Sequence, residues 1–388
     1  MKEESNTMCS GKAIIAIIIF AVAIVAAVVV IVVLVLKTGN NMNSYYLSDV
    51  ICESESVCYR KINVNMEHYI SELNETVLRT HVRYENRYGI EIAADLYTPK
   101  NLDKSKKYPA IVIGPPYGGV KEQGPSVYAN QLAWRGYVCL AFDPSFNGES
   151  GGKKRKVSSS DIFVEDFSAG VDYLGTLSYV DREKIGGIGI CGSGGFLLGA
   201  AAIDSRIKAV VTVVMYDIPK EKLKADKDWA DMQNRLENKR WADVDNGNQE
   251  CKDFYIPDRE YEDGKYPVDP ENSVFDNTWR PFYSTKRGHH PRSTGGFTTT
   301  SDFSLANLQV TDNIEKIAPR PIFFISCDSE TDSKAYTKEA YEKVKDKYTT
   351  KKLREIHYAP GTDHIDLYDK IDKIPFDDID DFFQESFE

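Results

Sequence analysis

Cysteine and long basic runs are both scarce in this chain of 388 residues. The seven cysteines are scattered and form no C-x-x-C pair, which excludes a disulfide scaffold and the common zinc-binding patterns. The longest basic run is the KKRK segment at 153–156, and the formal net charge is −11 at pH 7. An acidic chain without an extended basic patch argues against nucleic acid as a partner.

A single long hydrophobic run lies near the N-terminus, at residues 13–36. It is long enough to cross a bilayer as a helix and too long for the core of a signal peptide. We therefore expect an uncleaved transmembrane helix at 13–36, after a tail at 1–12 and before a stalk at 37–80. The sequence thus predicts a single-pass membrane protein that contacts the membrane through this helix.

The charges that flank the hydrophobic run indicate its orientation weakly. Lys2 and Lys12 precede the run and Lys37 follows it, a slight excess of lysine that favours a cytoplasmic tail. A glycosylation sequon at Asn74 is compatible with the same orientation. We therefore expect the main domain on the lumenal or extracellular side.

Short hydrophobic segments alternate with helical segments from residue 81 to the C-terminus. Strands at 82–84 and 90–97 flank a turn and predict a β-hairpin. The alternation that follows predicts an α/β domain at 81–388, with a mostly parallel central sheet and helices on both faces. The later predicted strands are 110–114, 137–142, 185–188, 207–214, 322–325 and 353–358, and the predicted helices are 126–135, 163–177, one from 196, 336–347 and 379–387.

Residues 216–301 interrupt this alternation. They contain three of the four tryptophans (Trp229, Trp241 and Trp279), many charges and several proline and glycine residues. We expect an insertion of helices and loops that covers the ligand site as a lid.

The segment 184–199, KIGGIGICGSGGFLLG, predicts a strand, a glycine-rich turn and a helix. This is the context of a nucleophile elbow, a strained turn that exposes one side chain between two very small neighbours. With Cys191 as the nucleophile, the neighbours are Gly189 and Ser193. With Ser193 as the nucleophile, Cys191 is itself a neighbour. The hydrophobic strand ends at Ile188, which favours Cys191 and leaves Ser193 as the alternative.

The same glycines allow a different function. Residues 187–192 satisfy G-x-G-x-x-G, and Asp217 lies 25 residues later, which is the pattern of a dinucleotide-binding oxidoreductase. The position of the pattern weakens this alternative, because it follows several strands instead of opening the fold.

A histidine and three carboxylates follow the later strands. His364 lies in a glycine-containing turn after the last predicted strand, and Asp328, Glu330 and Asp332 follow the strand before it. This order suits a triad in which the histidine takes the proton of the nucleophile and a carboxylate orients the histidine. Glu330 is the preferred acid, and Asp332 is the first alternative.

Acyl transfer also needs hydrogen-bond donors for the oxyanion that develops on the substrate. The amide of Gly192 follows Cys191 and is the first candidate. Tyr117, in the loop after strand 110–114, is the second, through its amide or its phenol.

From residue 81 the chain resembles the α/β-hydrolase superfamily, and it is most similar to dienelactone-hydrolase-like and Xaa-Pro-peptidase-like hydrolases. The segments that carry the resemblance are GPPYGGVKEQ at 114–123, FDPSFNGES at 142–150, the elbow, GHHPR at 288–292 and PGTDHIDLYD at 360–369. The resemblance implies an α/β-hydrolase fold. Dienelactone hydrolases carry cysteine at the elbow, which supports Cys191. Ser193 stands where those enzymes have glycine, and neither the membrane helix nor the long insertion belongs to the usual pattern.

Together these features predict a membrane-anchored hydrolase that cleaves an ester, thioester or lactone through a covalent acyl-enzyme. The expected partner is a small-molecule acyl substrate, and no metal or organic cofactor is implied. A non-catalytic binding protein of the same fold is a further alternative, which applies if the acid and the base lie too far from the elbow. The sequence determines neither the substrate nor the oligomeric state.

Overall fold

The structure is a computed structural model that describes residues 50–54, 57–60, 69–224, 226–252, 276–293, 295–329, 331–348 and 352–388. Its strands are β1 (Val50–Ser54), β2 (Val57–Arg60), β3 (Val77–Glu85), β4 (Glu91–Pro99), β5 (Tyr108–Gly114), β6 (Val138–Phe142), β7 (Val180–Ile190), β8 (Ala209–Val213), β9 (Cys251–Lys252), β10 (Phe297–Thr298), β11 (Ile322–Cys327) and β12 (His357–Ala359). Its α-helices are α1 (Gly124–Trp134), α2 (Ser160–Thr176), α3 (Gly192–Ile203), α4 (Ile218–Leu223), α5 (Trp229–Asp245), α6 (Asp276–Ser284), α7 (Asp302–Asn307), α8 (Asp332–Lys345), α9 (Asp366–Asp369) and α10 (Phe376–Phe387).

Eight strands form the central sheet, in the order β12-β11-β8-β7-β5-β6-β4-β3. The strands from β12 to β6 are parallel, whereas β4 is antiparallel to both β6 and β3. Strands β6, β8 and β11 are buried at every position, as a parallel sheet with both faces covered requires. The mostly parallel sheet predicted from the sequence is confirmed.

Two adjacent residues of β7 show that helices cover both faces of the sheet. A Cβ on Gly186 would lie 2.6 Å from the ring of Phe383 in α10, and a Cβ on Gly187 would lie 2.6 Å from Leu197 in α3. Because successive residues of a strand point to opposite faces, α10 and α3 pack on opposite sides of the sheet.

Most boundaries differ by a few residues from those predicted, and three of the differences change the sheet. Strand β7 extends to Ile190, beyond its predicted end at Ile188, because its last residues still pair with β8. The last strand is shortened to β12, and Leu353 makes an isolated bridge to Ile322. The sheet domain begins before residue 81, since β3 pairs with β4 from Val77 onwards.

The predicted transmembrane helix at 13–36 lies outside the described residues. Across the residues that the structure does describe, no helix is both long and apolar enough to span a bilayer.

The insertion between β8 and β11 contains α4 to α7 and the small antiparallel sheet of β9 and β10. Its segment after α6 contacts the loop that follows β5. Gln123 Nε2 donates a hydrogen bond of 2.6 Å to the carbonyl of Gly288, and Ser293 Oγ donates one of 2.9 Å to the carbonyl of Gly118. The insertion is thereby held against the loop that contains Tyr117.

Lys121, in the same loop, is completely buried among carboxylates. Its ammonium group donates hydrogen bonds to Glu122 (2.6 Å), Glu149 (2.7 Å) and Asp143 (3.1 Å). Arg292 of the insertion adds a second cation, with Nη2 2.7 Å from Glu122 and Nη1 3.6 Å from Glu149. These five residues, the Lys121 cluster, join the loops after β5 and β6 to the insertion.

Replacement of Lys121 by methionine should destabilise the protein by about 3–5 kcal/mol, because it leaves buried carboxylates without their central cation. The free energy of unfolding of the full chain in urea measures this loss. Lys153→Met, at an exposed position beyond β6, is the matched control and should change stability by less than about 0.5 kcal/mol. Equal stability of the two variants would contradict the role given to Lys121.

Candidate active site

Cys191 occupies the sharp turn between β7 and α3. Its backbone has φ 53° and ψ −119°, a conformation that costs a non-glycine residue about 1–3 kcal/mol. The Cys191 amide donates to the carbonyl of Val213 in β8, and its carbonyl accepts from the amides of Gly194 and Tyr216, each at 2.9 Å. The strained backbone that is typical of a nucleophile elbow is therefore found at Cys191.

Ser193 lies inside the first turn of α3. A Cβ on Gly189 would lie 2.3 Å from the Ser193 carbonyl oxygen, so only glycine fits at that close approach. The Ser193 hydroxyl faces the end of β5, since its oxygen lies 2.7 Å from where a Cβ on Gly114 would be. Of the two arrangements that the sequence allows, the geometry favours the one with Cys191 as the nucleophile.

The amides predicted to bind the oxyanion adjoin the sulfur of Cys191. Burial raises the pKa of the thiol to about 11, while hydrogen bonding from the Tyr368 hydroxyl and from the amides of Gly192 and Tyr117 opposes the rise. The ring of Tyr117 stacks on Phe297, with ring centroids 4.0 Å apart. Of the two donors that Tyr117 offers, the amide is thus the one beside the sulfur.

His364 follows β12 and is fully buried. Its Nδ1 lies 2.9 Å from Oγ of Ser333 in α8, and its Nε2 lies 3.0 Å from the hydroxyl of Tyr368. Burial lowers the pKa of His364 to about 3, so the imidazole is neutral at pH 7 and can accept a proton. The Tyr368 hydroxyl, which also adjoins Cys191, connects the histidine to the thiol.

The three carboxylates considered as the acid are placed differently. Asp332 begins α8, and its carboxylate is 56% exposed and lies 3.3 Å from Nζ of Lys224. Asp328 accepts a hydrogen bond of 3.2 Å from the amide of Gly361. The structure thus directs Asp332 towards the insertion, and Asp328 towards the backbone of the loop after β12. Glu330 lies outside the described residues and stays the predicted acid.

Three residues near the site, Ser333, Tyr368 and Tyr283, had no role in the sequence analysis. Tyr368 lies four residues after His364, a spacing that places both side chains on one side of a helical turn, and this is the one local signal. Tyr283 belongs to α6 of the insertion; burial raises the pKa of its phenol, and hydrogen bonding with Tyr368 opposes the rise. Nothing local marks Tyr283 or Ser333, because only the tertiary fold brings α6 and α8 to the elbow.

An arginine of the insertion fixes the turn that carries Tyr368. Arg287 Nε donates a hydrogen bond of 2.8 Å to Asp369, and its Nη2 donates one of 3.2 Å to Asp366. Both carboxylates belong to α9, so the insertion contacts the histidine loop as well as the loop after β5.

The glycine pattern at 187–192 does not form a dinucleotide-binding turn. Gly187 and Gly189 lie within β7, where the absence of a Cβ lets α3 pack closely on the strand. Asp217 caps α4 and accepts a hydrogen bond of 2.6 Å from Thr311 Oγ1. Both features have structural roles, and the oxidoreductase alternative is rejected.

Comparison with known proteins identifies related hydrolases. Residues 88–247 match the X-Pro dipeptidyl-peptidase (S15) family. The uncharacterized protein PA2218 of Pseudomonas aeruginosa is 42% identical over 322 residues, which cover 81% of this chain and 82% of that protein. Its crystal structure aligns with a TM-score of 0.74 and 40% identity, over 83% of this chain and 98% of that one.

Two further relatives differ in how much of their length is shared. The uncharacterized protein YcjY of Escherichia coli is 32% identical over 290 residues, which cover 73% of this chain and 90% of that protein. A thiohydrolase of Eupenicillium brefeldianum is 29% identical over 139 residues, which cover 36% of this chain and 44% of that enzyme.

The raised pKa of Cys191 predicts an unusual pH dependence of its alkylation by iodoacetamide. Only the thiolate reacts, so the rate should rise about tenfold per pH unit from pH 7 to 9.5 with no plateau. Peptide mapping after timed exposure of the full chain measures this rate. Cys251, which is partly exposed, is the internal comparison, and its rate at each pH controls for the reagent and for loss of structure. A plateau for Cys191 below pH 8 would show a stabilised thiolate and contradict this geometry.

Proposed function

This chain belongs to the α/β-hydrolase superfamily, among the Xaa-Pro-peptidase-like hydrolases, and we propose that it cleaves an ester, thioester or lactone through an acyl-enzyme on Cys191. The observation that carries the proposal is the strained turn at Cys191, and hydrogen bonding of the thiol with the amides of Gly192 and Tyr117, which opposes the rise in its pKa, supports it. Such a turn presents a nucleophile to a carbonyl carbon while two amides receive the oxyanion.

The raised pKa of Cys191 and the lowered pKa of His364 are compatible with this chemistry. The thiol of Cys191 stays protonated at neutral pH, so a base must remove its proton as it attacks. His364 is neutral at the same pH and is the base. Attack forms the S–C bond, the leaving group departs with the proton that His364 has taken, and the acyl group remains on Cys191 as a thioester. Water activated by His364 then releases the acid.

Glu330 is the acid in this proposal, and Ser333 assists it at Nδ1 of His364. Glu330 follows β11, whose end lies next to β12 and the histidine loop. A carboxylate there stabilises the imidazolium that forms during attack. The Ser333 hydroxyl, 2.9 Å from Nδ1, fixes the orientation of the ring.

An uncharged acyl group fits the surroundings of the thiol. Cys191 contributes to the raised pKa of the phenols of Tyr216, Tyr283 and Tyr368, so these aromatic side chains surround it, and Ile218 packs beside Gly192. The Eupenicillium brefeldianum relative is named a thiohydrolase, which supports a thioester among the substrate classes. An acyl group held as a thioester stays activated, so an acceptor other than water is compatible with the same site.

Reaction of the full chain with iodoacetamide and, separately, with a fluorophosphonate tests which residue attacks. Intact mass and peptide mapping should locate the alkyl adduct on Cys191. A fluorophosphonate adduct, where one forms, should be absent from Ser193. Incubation with the p-nitrophenyl ester of butyric acid should add one butyryl group to Cys191, and His364→Ala and Glu330→Gln should lower the rate of acylation by at least about 100-fold.

Two results would overturn this proposal. An adduct on Ser193 that disappears in His364→Ala would transfer the nucleophilic role to Ser193. No adduct at either position in a folded sample would favour a non-catalytic binding protein of this fold.

We also propose that residues 13–36 anchor the enzyme in a membrane, with the catalytic domain on the lumenal or extracellular side. The support is the uncharged hydrophobic run itself and the lysines before it. The full chain should remain in the membrane pellet after alkaline carbonate extraction, and Ala23→Arg combined with Val30→Arg should release it. Protease added to intact vesicles should distinguish the two orientations. Release of the unaltered chain by carbonate would contradict the anchor.

A further inference from the structure

The hydroxyl of Tyr368 interacts with both the proposed base and the proposed nucleophile. Its oxygen is 3.0 Å from Nε2 of His364, the ring nitrogen that a triad would direct at the nucleophile. Hydrogen bonding from the same hydroxyl lowers the pKa of the Cys191 thiol, against the larger rise that burial causes, so Tyr368 interacts with both groups. The path from thiol to imidazole therefore passes through a third side chain.

Tyr368 is held firmly in this position. The side chain is buried, and its ring packs edge-on against Phe282 of the insertion, with centroids 5.5 Å apart. It also packs against the ring of His364 at 5.4 Å. The backbone amide of Tyr368 donates to the carbonyl of Ile365, and the ion pairs of Arg287 fix both ends of α9. A side chain packed on all these sides keeps its hydroxyl at one place.

We propose that Tyr368 is a catalytic residue that relays the proton from Cys191 to His364. This inference rests on the function proposed above. As Sγ attacks the acyl carbon, the S–H proton passes to the oxygen of Tyr368, and the Tyr368 O–H proton passes to Nε2 of His364. The carbonyl π bond opens to an oxyanion at the amides of Gly192 and Tyr117, and His364 gains the positive charge.

The second half of the step returns the protons. When the tetrahedral intermediate collapses, the bond from carbon to the leaving oxygen or sulfur breaks. His364 gives its proton back to Tyr368, and Tyr368 gives its own to the leaving group. Protons and charge balance, and no co-reactant is required.

A hydroxyl suits this role because it donates one hydrogen bond and accepts others at the same time. Burial raises the pKa of the Tyr368 phenol well above its ordinary value, so a tyrosinate is not formed as a separate species. The two proton transfers must then occur together. Tyr283, whose hydroxyl reaches Tyr368, orients the relay from the insertion.

A double-mutant cycle tests the relay. The full chain, Tyr368→Phe, His364→Ala and the double variant are each mixed with the p-nitrophenyl ester of butyric acid, and the first-turnover release of nitrophenol is recorded. Tyr368→Phe and His364→Ala should each slow acylation by about 100-fold or more, and the double variant should be no slower than either. Groups that act as one unit show such non-additive losses, whereas a tyrosine that only packs gives losses that add.

Two further measurements separate chemistry from packing. Tyr137→Phe is the matched control, because it removes a buried phenol that donates 2.8 Å to Asp380, away from the elbow, and should leave the rate unchanged. In mixtures of H₂O and D₂O the rate should curve with the deuterium fraction, as two protons in motion require, and the curvature should vanish in Tyr368→Phe. If Tyr368→Phe does not fold, a fluorinated tyrosine at 368 keeps the side-chain shape and should change the rate of acylation, because fluorine makes the phenol a stronger acid.

Each remaining outcome overturns the relay in a distinguishable way. A Tyr368→Phe rate within about twofold of the unaltered chain, with His364→Ala impaired, would show that His364 reaches Cys191 directly. A faster Tyr368→Phe would show that the hydroxyl shields the thiol. Absence of a butyryl group on Cys191 in the unaltered chain would overturn the proposed function itself, and the relay with it.

Discussion

The buried ammonium group of Lys121 is the constraint on which the active-site loops depend. A cation removed from water must be matched by carboxylates, and those of Glu122, Asp143 and Glu149 come from the ends of two neighbouring strands. Tyr117 lies four residues before Lys121 in the same loop. The contacts that join the loops therefore also fix the position of the Tyr117 amide. Arg292 extends the same cluster into the insertion. One desolvated charge thus ties together the oxyanion loop, the loop after β6 and the insertion.

The backbone of the elbow is strained at Cys191, and hydrogen bonds to the sheet keep it in that conformation. Cys191 keeps a positive φ because its amide and carbonyl are hydrogen-bonded to β8 and to the residues around it. Burial then acts in opposite directions on the two reacting groups: it raises the pKa of the thiol and lowers that of His364. Both groups are therefore uncharged at neutral pH, and in the proposed mechanism charge develops only during the attack, beside the amides of Gly192 and Tyr117.

The insertion contributes residues to the candidate active site. It supplies Tyr283 to the hydroxyl of Tyr368, and Arg287 to the helix that carries Tyr368. Cys191 is 8% exposed, so a substrate reaches the sulfur only when side chains around it move. These side chains include Tyr283 of the insertion, so in the proposed mechanism substrate selection and the position of the catalytic groups are coupled.

Local patterns in the sequence were sufficient to predict the mostly parallel sheet, the strand, turn and helix around Cys191 and the position of His364 after the last strand. These features follow from hydrophobic periodicity and from glycines, which act over a few neighbouring residues. The pairing of Lys121 with Asp143, the direction of Asp332 towards Lys224 and the approach of Ser333 and Tyr283 join segments far apart in the chain. Only the tertiary structure decided them, because burial and hydrogen-bond geometry depend on which distant elements share the interior.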